Sequence, residues 1–345
     1  MVAFAPGAPE QAAPKYRALL TPDPVLLMGR EGRWRWPWAV GGIVLTGIVY
    51  ALLGGVAAQI LTGLADAGWQ VDVEDSVFPI DPARPLSYLN LVLVSLPFLL
   101  APLIVLPLLH GVSWRSAFSF GVGFHWRQFF LAAAALFLVS LAMLAGSYVL
   151  DPEPYTLPAL APGYALMVGL ALGVVFVQSF GEEVFFRGYL VRTVGAALPF
   201  RLPVTAAIIT LFISGHLGNE DLGQDLVFNL IYFVVIEAVS YALLFRTQNL
   251  AASAGIHWMN NVSALLAPTV PGQPMSLALI VYHDPVYAAG DTRLFDTGTH
   301  LAGLAGVAAL IVLLYWRRSP FFIAKAPVPE VEDPPTTEAA PRVLS

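Results

Sequence analysis

The chain has 345 residues, 57% of them hydrophobic and only 12% charged, with a net charge of −6 at pH 7 and a mean hydropathy of +0.72. A soluble domain carries roughly 25% charged residues, so composition alone points to a polytopic membrane protein. No broad basic face is present to hold nucleic acid, and the lack of cysteine excludes disulfides, thiol nucleophiles and cysteine-ligated metals.

The first segment, 1–37, has no signal-peptide pattern, because prolines and charges interrupt its apolar stretch. Trp34, Trp36 and Trp38 then bunch where the first apolar run begins, as interfacial anchors do. About eight runs are long enough to span a bilayer: 38–62, 88–109, 128–150, 161–190, 203–217, 226–245, 250–267 and 300–316. The second contains Pro97, Pro102 and Pro107, each of which removes an amide donor and is expected to kink or break the helix. The fourth is long enough for its last turns to leave the hydrocarbon. The tail is rich in Pro, Glu and Thr from Pro327 and reads as disordered.

This division can be tested against the distribution of Lys and Arg. Lys15, Arg17, Arg30, Arg33 and Arg35, then Arg115, Arg127, Arg192, Arg201, Arg246, and finally Arg317, Arg318, Lys325 and Arg342 all fall on one side. Only Arg84 and Arg293 fall on the other. The positive-inside rule then places both termini in the cytoplasm. The expected fold is an all-α bundle of about eight transmembrane helices. Its parts are a cytoplasmic segment 1–37, three helices in 38–157, a core at 158–268, an extracytoplasmic loop 269–299, a last helix 300–318 and a disordered cytoplasmic tail 319–345. In a bacterium such a protein would lie in the inner membrane.

Within the apolar runs the strongly polar side chains are few. Glu182, Glu183 and Arg187 stand in Gly181-Glu-Glu-Val-Phe-Phe-Arg-Gly188, His216 closes Phe212-Ile-Ser-Gly-His216, and His257 and Asn261 frame His257-Trp-Met-Asn-Asn261. Charge at membrane depth is costly, so such a cluster reads as a functional site by default. Glu183 and Arg187 are four apart with the carboxylate first, an order that favours pairing. Glu182 points about 100° away and is left out of that pair. His257 and Asn261 share a face. His216 lies roughly 20 Å along its helix from Pro203 and Glu182 roughly 18 Å before Val194, so the motifs reach overlapping depths. A carboxylate beside an imidazole can deprotonate water, and an imidazole with an amide can donate to a developing oxyanion. One carboxylate with two histidines also has the donor set of a catalytic zinc site, through Glu182, His216 and His257.

In this order and context the three motifs resemble the CAAX prenyl protease and bacteriocin-processing (CPBP, or Abi) family of intramembrane endopeptidases, whose signature is Glu-Glu-x-x-x-Arg, Phe-x-x-x-His and His-x-x-x-Asn on separate helices. Arg246-Thr-Gln-Asn-Leu250 is also similar to the family's Arg-Thr-Gly-Ser-Leu, with Gln-Asn in place of Gly-Ser. The likeness covers about 160–267. It implies that 158–268 is a catalytic core with no cofactor. Glu182 would be the general base, acting with His216 on water. His257 and Asn261 would form the oxyanion hole, and Glu183 and Arg187 would be structural. The substrate would be a peptide or membrane protein, lipidated ones included. Two other readings use the same residues: a zinc protease, and a non-catalytic membrane protein in peptide-toxin immunity or scaffolding. Glu237 reads as a helix–helix hydrogen-bonding group or a protonated buried acid, and Ser253 as a small interface residue rather than a nucleophile.

Overall fold

A computed structural model describes residues 26, 32–33, 36–69, 71, 87–120, 123–150, 152, 155–156, 164–217, 226–266, 281–282 and 306. The architecture is all-helical, apart from a two-residue antiparallel ladder between β1 (Tyr155–Thr156) and β2 (Val281–Tyr282). The helices are α1 (Trp36–Asp66), α2 (Ser87–Val105), α3 (Trp126–Leu150), α4 (Tyr164–Glu182), α5 (Val191–Ala197), α6 (Arg201–His216), α7 (Leu226–Thr247) and α8 (Ala251–Leu266). Five stretches are long and apolar enough to cross a bilayer: Trp36–Asp66, Leu89–His110, Trp126–Gly146, Tyr164–Ala197 and Asn229–Thr247. They match the first four expected spans and the sixth, and the protein is an integral membrane protein. The fifth and seventh runs form the shorter helices α6 and α8. The expected eighth run and the tail lie outside the described residues, save Gly306 within that run.

Two helices depart from α geometry, each for a local reason. α2 continues through Pro97 and Pro102 without breaking, then widens into a π-helical turn at Leu106–His110, where Pro107 is one of the opening residues. Gly111, at φ 70°, closes that turn in the left-handed region that favours glycine. α4 runs into an eight-residue π-helical stretch, Glu183–Leu190, before α5 resumes the regular pitch. Such π stretches are rare and frequently mark functional sites. Here it starts on the second carboxylate of the first motif.

Lipid tails are as apolar as leucine, so helix association in a membrane rests on close packing and polar contacts rather than on hydrophobic burial. The lipid-facing side of α1 accordingly exposes Val40, Val44, Ile48, Leu52 and Val56. The inner helices pack α3 on α8, α2 on α4, and α4 and α7 on α8. Glycine sets how near they come. A Cβ on Gly255 of α8 would fall on the carbonyl oxygen of Phe129 in α3, and one on Gly188 would fall on that of Ala117. Aromatic rings fill the seam beside Gly255: Phe129 stacks on Trp258 with centroids 5.4 Å apart.

We therefore expect Gly255→Ala to lower stability by about 1–3 kcal/mol, the usual cost of overpacking. Gly54→Ala, on α1 with nothing within 4 Å of the added methyl, should be neutral. Thermal unfolding of the detergent-solubilised variants checks both.

Candidate active site

Glu182 and Glu183 stand where α4 passes into the π stretch, and as neighbours they meet different partners. Glu183 is fully buried. Its Oε1 accepts from His257 Nδ1 at 2.9 Å and its Oε2 from Ser253 Oγ at 2.8 Å, both on α8. Arg187, one turn on, pairs with Glu183 and also with Glu237 of α7. The Arg187 guanidinium lies over the Tyr241 ring, 5.1 Å from its centroid. The expected Glu183–Arg187 pair is present, and the residues around it join three elements: the α4/π segment, α7 and α8.

Glu182 is nearly buried. Its Oε1 accepts from Gln178 Nε2 at 2.6 Å. Among the described residues its Oε2 accepts no hydrogen bond, and it lies 3.4 Å from His257 Nε2. One imidazole therefore stands between two carboxylates. An ionised carboxylate is acceptor-only, so the bond to Glu183 puts the proton on Nδ1. In the neutral ring Nε2 is then left as an acceptor facing Glu182.

Asn261, one turn beyond His257, donates from Nδ2 to Gln178 Oε1 at 2.9 Å and to Ser179 Oγ at 3.2 Å. Both amide hydrogens are thus spent on α4. The contacts pair 178 with 261, 182 with 257 and 183 with 253 and 257, so α4 and α8 run antiparallel. The four-residue spacing on each helix makes the rungs coincide.

His216 sits apart from this set. Its Nδ1 donates to the Phe212 carbonyl at 2.8 Å, and its ring lies against Phe212 at 4.4 Å. Phe212 in turn meets His257 edge-on at 5.9 Å. Among the described residues His216 forms no ion pair with a carboxylate. The imidazole that reaches Glu182 belongs to His257, where sequence reasoning expected His216.

The zinc alternative can be tested on this donor set. Glu182 Oε2 and His257 Nε2 converge, but His216 is stacked on Phe212 and does not join them. Among the described residues no three His, Cys, Asp or Glu side chains gather to hold a metal ion. The residues do not fit a three-ligand zinc site.

Sequence reasoning missed Gln178, Ser179, Asn260 and Tyr232. Gln178 was findable: it stands four before Glu182, the same spacing that pairs Glu183 with Arg187. The partners of Glu237 and Ser253 lie on other helices, and nothing in the sequence names them.

Three comparisons bear on this geometry. Residues 164–263 match the family model described as type II CAAX prenyl endopeptidase Rce1-like, a stretch that includes all three motifs. A Bacillus subtilis (strain 168) protein described as uncharacterized protein YyaK is 26% identical over 175 residues, covering 48% of this chain and 57% of that relative. The match thus spans little more than half of the relative's length. No solved structure matches the chain.

Replacing Arg187 by Ala leaves Glu183 and Glu237 buried without their cation. Breaking such a buried pair costs about 3–5 kcal/mol. Arg187→Ala is expected to accumulate poorly or melt far below wild type. Arg187→Lys should recover only part of the loss, since a point charge does not present the guanidinium's fork of donors to two carboxylates. Thermal unfolding in detergent, read beside the amount of folded protein, decides.

Proposed function

We propose that this chain, whose residues 164–263 form an Rce1-like domain, is a membrane endopeptidase in which Glu182 activates the attacking water. One observation carries this reading: Glu182 Oε2 and His257 Nε2 are two acceptors 3.4 Å apart with no hydrogen bond between them. A water donating one hydrogen to each would have its lone pairs turned toward an incoming carbonyl.

The step balances without a cofactor. The water oxygen adds to the peptide carbonyl carbon while its proton passes to Glu182 Oε2. Collapse of the tetrahedral intermediate breaks the C–N bond, and Glu182 returns the proton to the departing amine. His257 is held for this by Glu183, whose carboxylate fixes the Nδ1 proton and with it the acceptor role of Nε2. Asn261 serves the oxyanion by exchanging one of its two α4 bonds for the substrate carbonyl. His216, one ring further out behind Phe212, acts at the edge of the site. The substrate is a peptide or a membrane protein that reaches the site within the bilayer, lipidated chains included. In a bacterial host that bilayer is the inner membrane.

Peptidomics of membrane and secreted fractions, comparing wild type with Glu182→Gln at equal protein levels, tests the reading. Glutamine keeps the shape and removes the base, so cleavage is expected to fall by at least ~100-fold, leaving a discrete uncut polypeptide in the mutant. A variant that folds, complements a deletion and alters no peptide would remove Glu182 from catalysis and favour the scaffold or immunity role.

A further inference from the structure

The polar contacts of the site extend beyond the three motifs, and they have a direction. Tyr232 OH on α7 donates to Asn260 Oδ1 on α8. Asn260 Nδ2 donates to Asn261 Oδ1 at 3.2 Å, Asn261 Nδ2 to Gln178 Oε1 at 2.9 Å, and Gln178 Nε2 to Glu182 Oε1 at 2.6 Å. Ser179 Oγ closes a side branch by donating to Gln178 Oε1 at 3.2 Å. Each link passes its hydrogen the same way, and the line ends on a carboxylate.

This sense is fixed by chemistry at one end. An ionised Glu182 can only accept, so Gln178 must turn its NH₂ toward it. The carbonyl of Gln178 then faces Asn261, which must donate. Asn261 must accept from Asn260 through its own carbonyl, and Asn260 from Tyr232. Hydrogen bonds in such a series polarise one another, and the last of them, onto the carboxylate, is 2.6 Å long. Gln178 is buried, so its amide has these partners and little solvent to exchange them for.

We propose that Gln178 is a positioning residue for Glu182: its amide delivers this one-way line of donors to Oε1, which turns Oε2 toward His257 and reserves that oxygen for the reacting water. The proposal rests on the reading of Glu182 as the base. It gives the α7 hydroxyl of Tyr232 and the Asn260 amide a place in the site, as the outer supports of that carboxylate.

The test uses the full-length protein in lipid nanodiscs and does not require a substrate. Dicyclohexylcarbodiimide, a neutral apolar reagent, adds to buried carboxyl groups in their protonated form, and mass spectrometry of peptides locates the adduct. In Gln178→Met, which keeps the side-chain length but lacks the donor, the adduct at Glu182 should form about tenfold faster than in wild type, the scale of losing one charge-assisted hydrogen bond. Tyr232→Phe, at the far end, should raise it two- to threefold, a change small enough to leave the fold intact if Gln178→Met does not assemble. Labelling of Glu183 and Glu237 should stay as in wild type.

An unchanged rate at Glu182 in the folded variants overturns the proposal, as does a parallel rise at all three carboxylates, which would report only a loosened bundle. The two readings fail separately. Faster labelling beside a Glu182→Gln peptidome identical to wild type keeps the positioning and removes the protease. A lost cleavage product beside unchanged labelling does the reverse.

Discussion

Everything in the site depends on burying the Glu183 carboxylate. A charge placed in an apolar interior is tolerated only when its oxygens are filled, and Glu183 fills them from Arg187, Ser253 and His257. Each donor constrains something else. Arg187 draws Glu237, and so α7, toward the π stretch. Ser253 and His257 hold α8 against α4. The bond to His257 also chooses which ring nitrogen carries the proton, and thereby what Glu182 sees. One buried carboxylate thus sets both the helix packing and the protonation pattern of its neighbour.

The backbone contributes a second constraint. Gly181, just before the two carboxylates, lies against α2, where an added Cβ would come 3.1 Å from the Ser95 carbonyl oxygen. Gly188, inside the π stretch, is pressed on the carbonyl of Ala117. The segment that carries both glutamates is therefore held on either side by close backbone contacts, tight at Gly181 and admitting no side chain at Gly188. The π stretch, which includes Gly188, alters the pitch where Arg187 and Tyr189, and then Val191, face inward and are buried.

Much of this was legible in the sequence, and the reason is physical. Apolar run length reports the spans, since the bilayer fixes how long a helix must be, and five of the expected runs appear as long apolar helices. Strongly polar residues in such runs are rare enough to single out the three motifs, and i,i+4 spacing foretold Glu183–Arg187. What the sequence leaves open is which helix stands beside which. The family resemblance implied that His216 would act with Glu182. Packing chose His257, with the Phe212 ring set between the two histidines. The π geometry was also hidden, because nothing in Glu183-Val-Phe-Phe-Arg-Gly-Tyr-Leu190 announces a wider turn.

The antiparallel rungs between α4 and α8 have a consequence for assembly. The rest of that seam includes the apolar side chains Met167, Ala171, Val174, Val175, Val262 and Leu265, whose non-directional contacts discriminate weakly between one vertical setting and the next. Sliding α8 by a single turn, about 5.4 Å, would set His257 against Gln178 and Ser253 against Glu182, and Glu183 would lose its present bonds to both, keeping only Arg187. The same carboxylates therefore act as the teeth of a key. They admit one alignment of two otherwise slippery rods, so the bundle reaches its final register only when Glu182, Glu183, His257 and Asn261 are already in place.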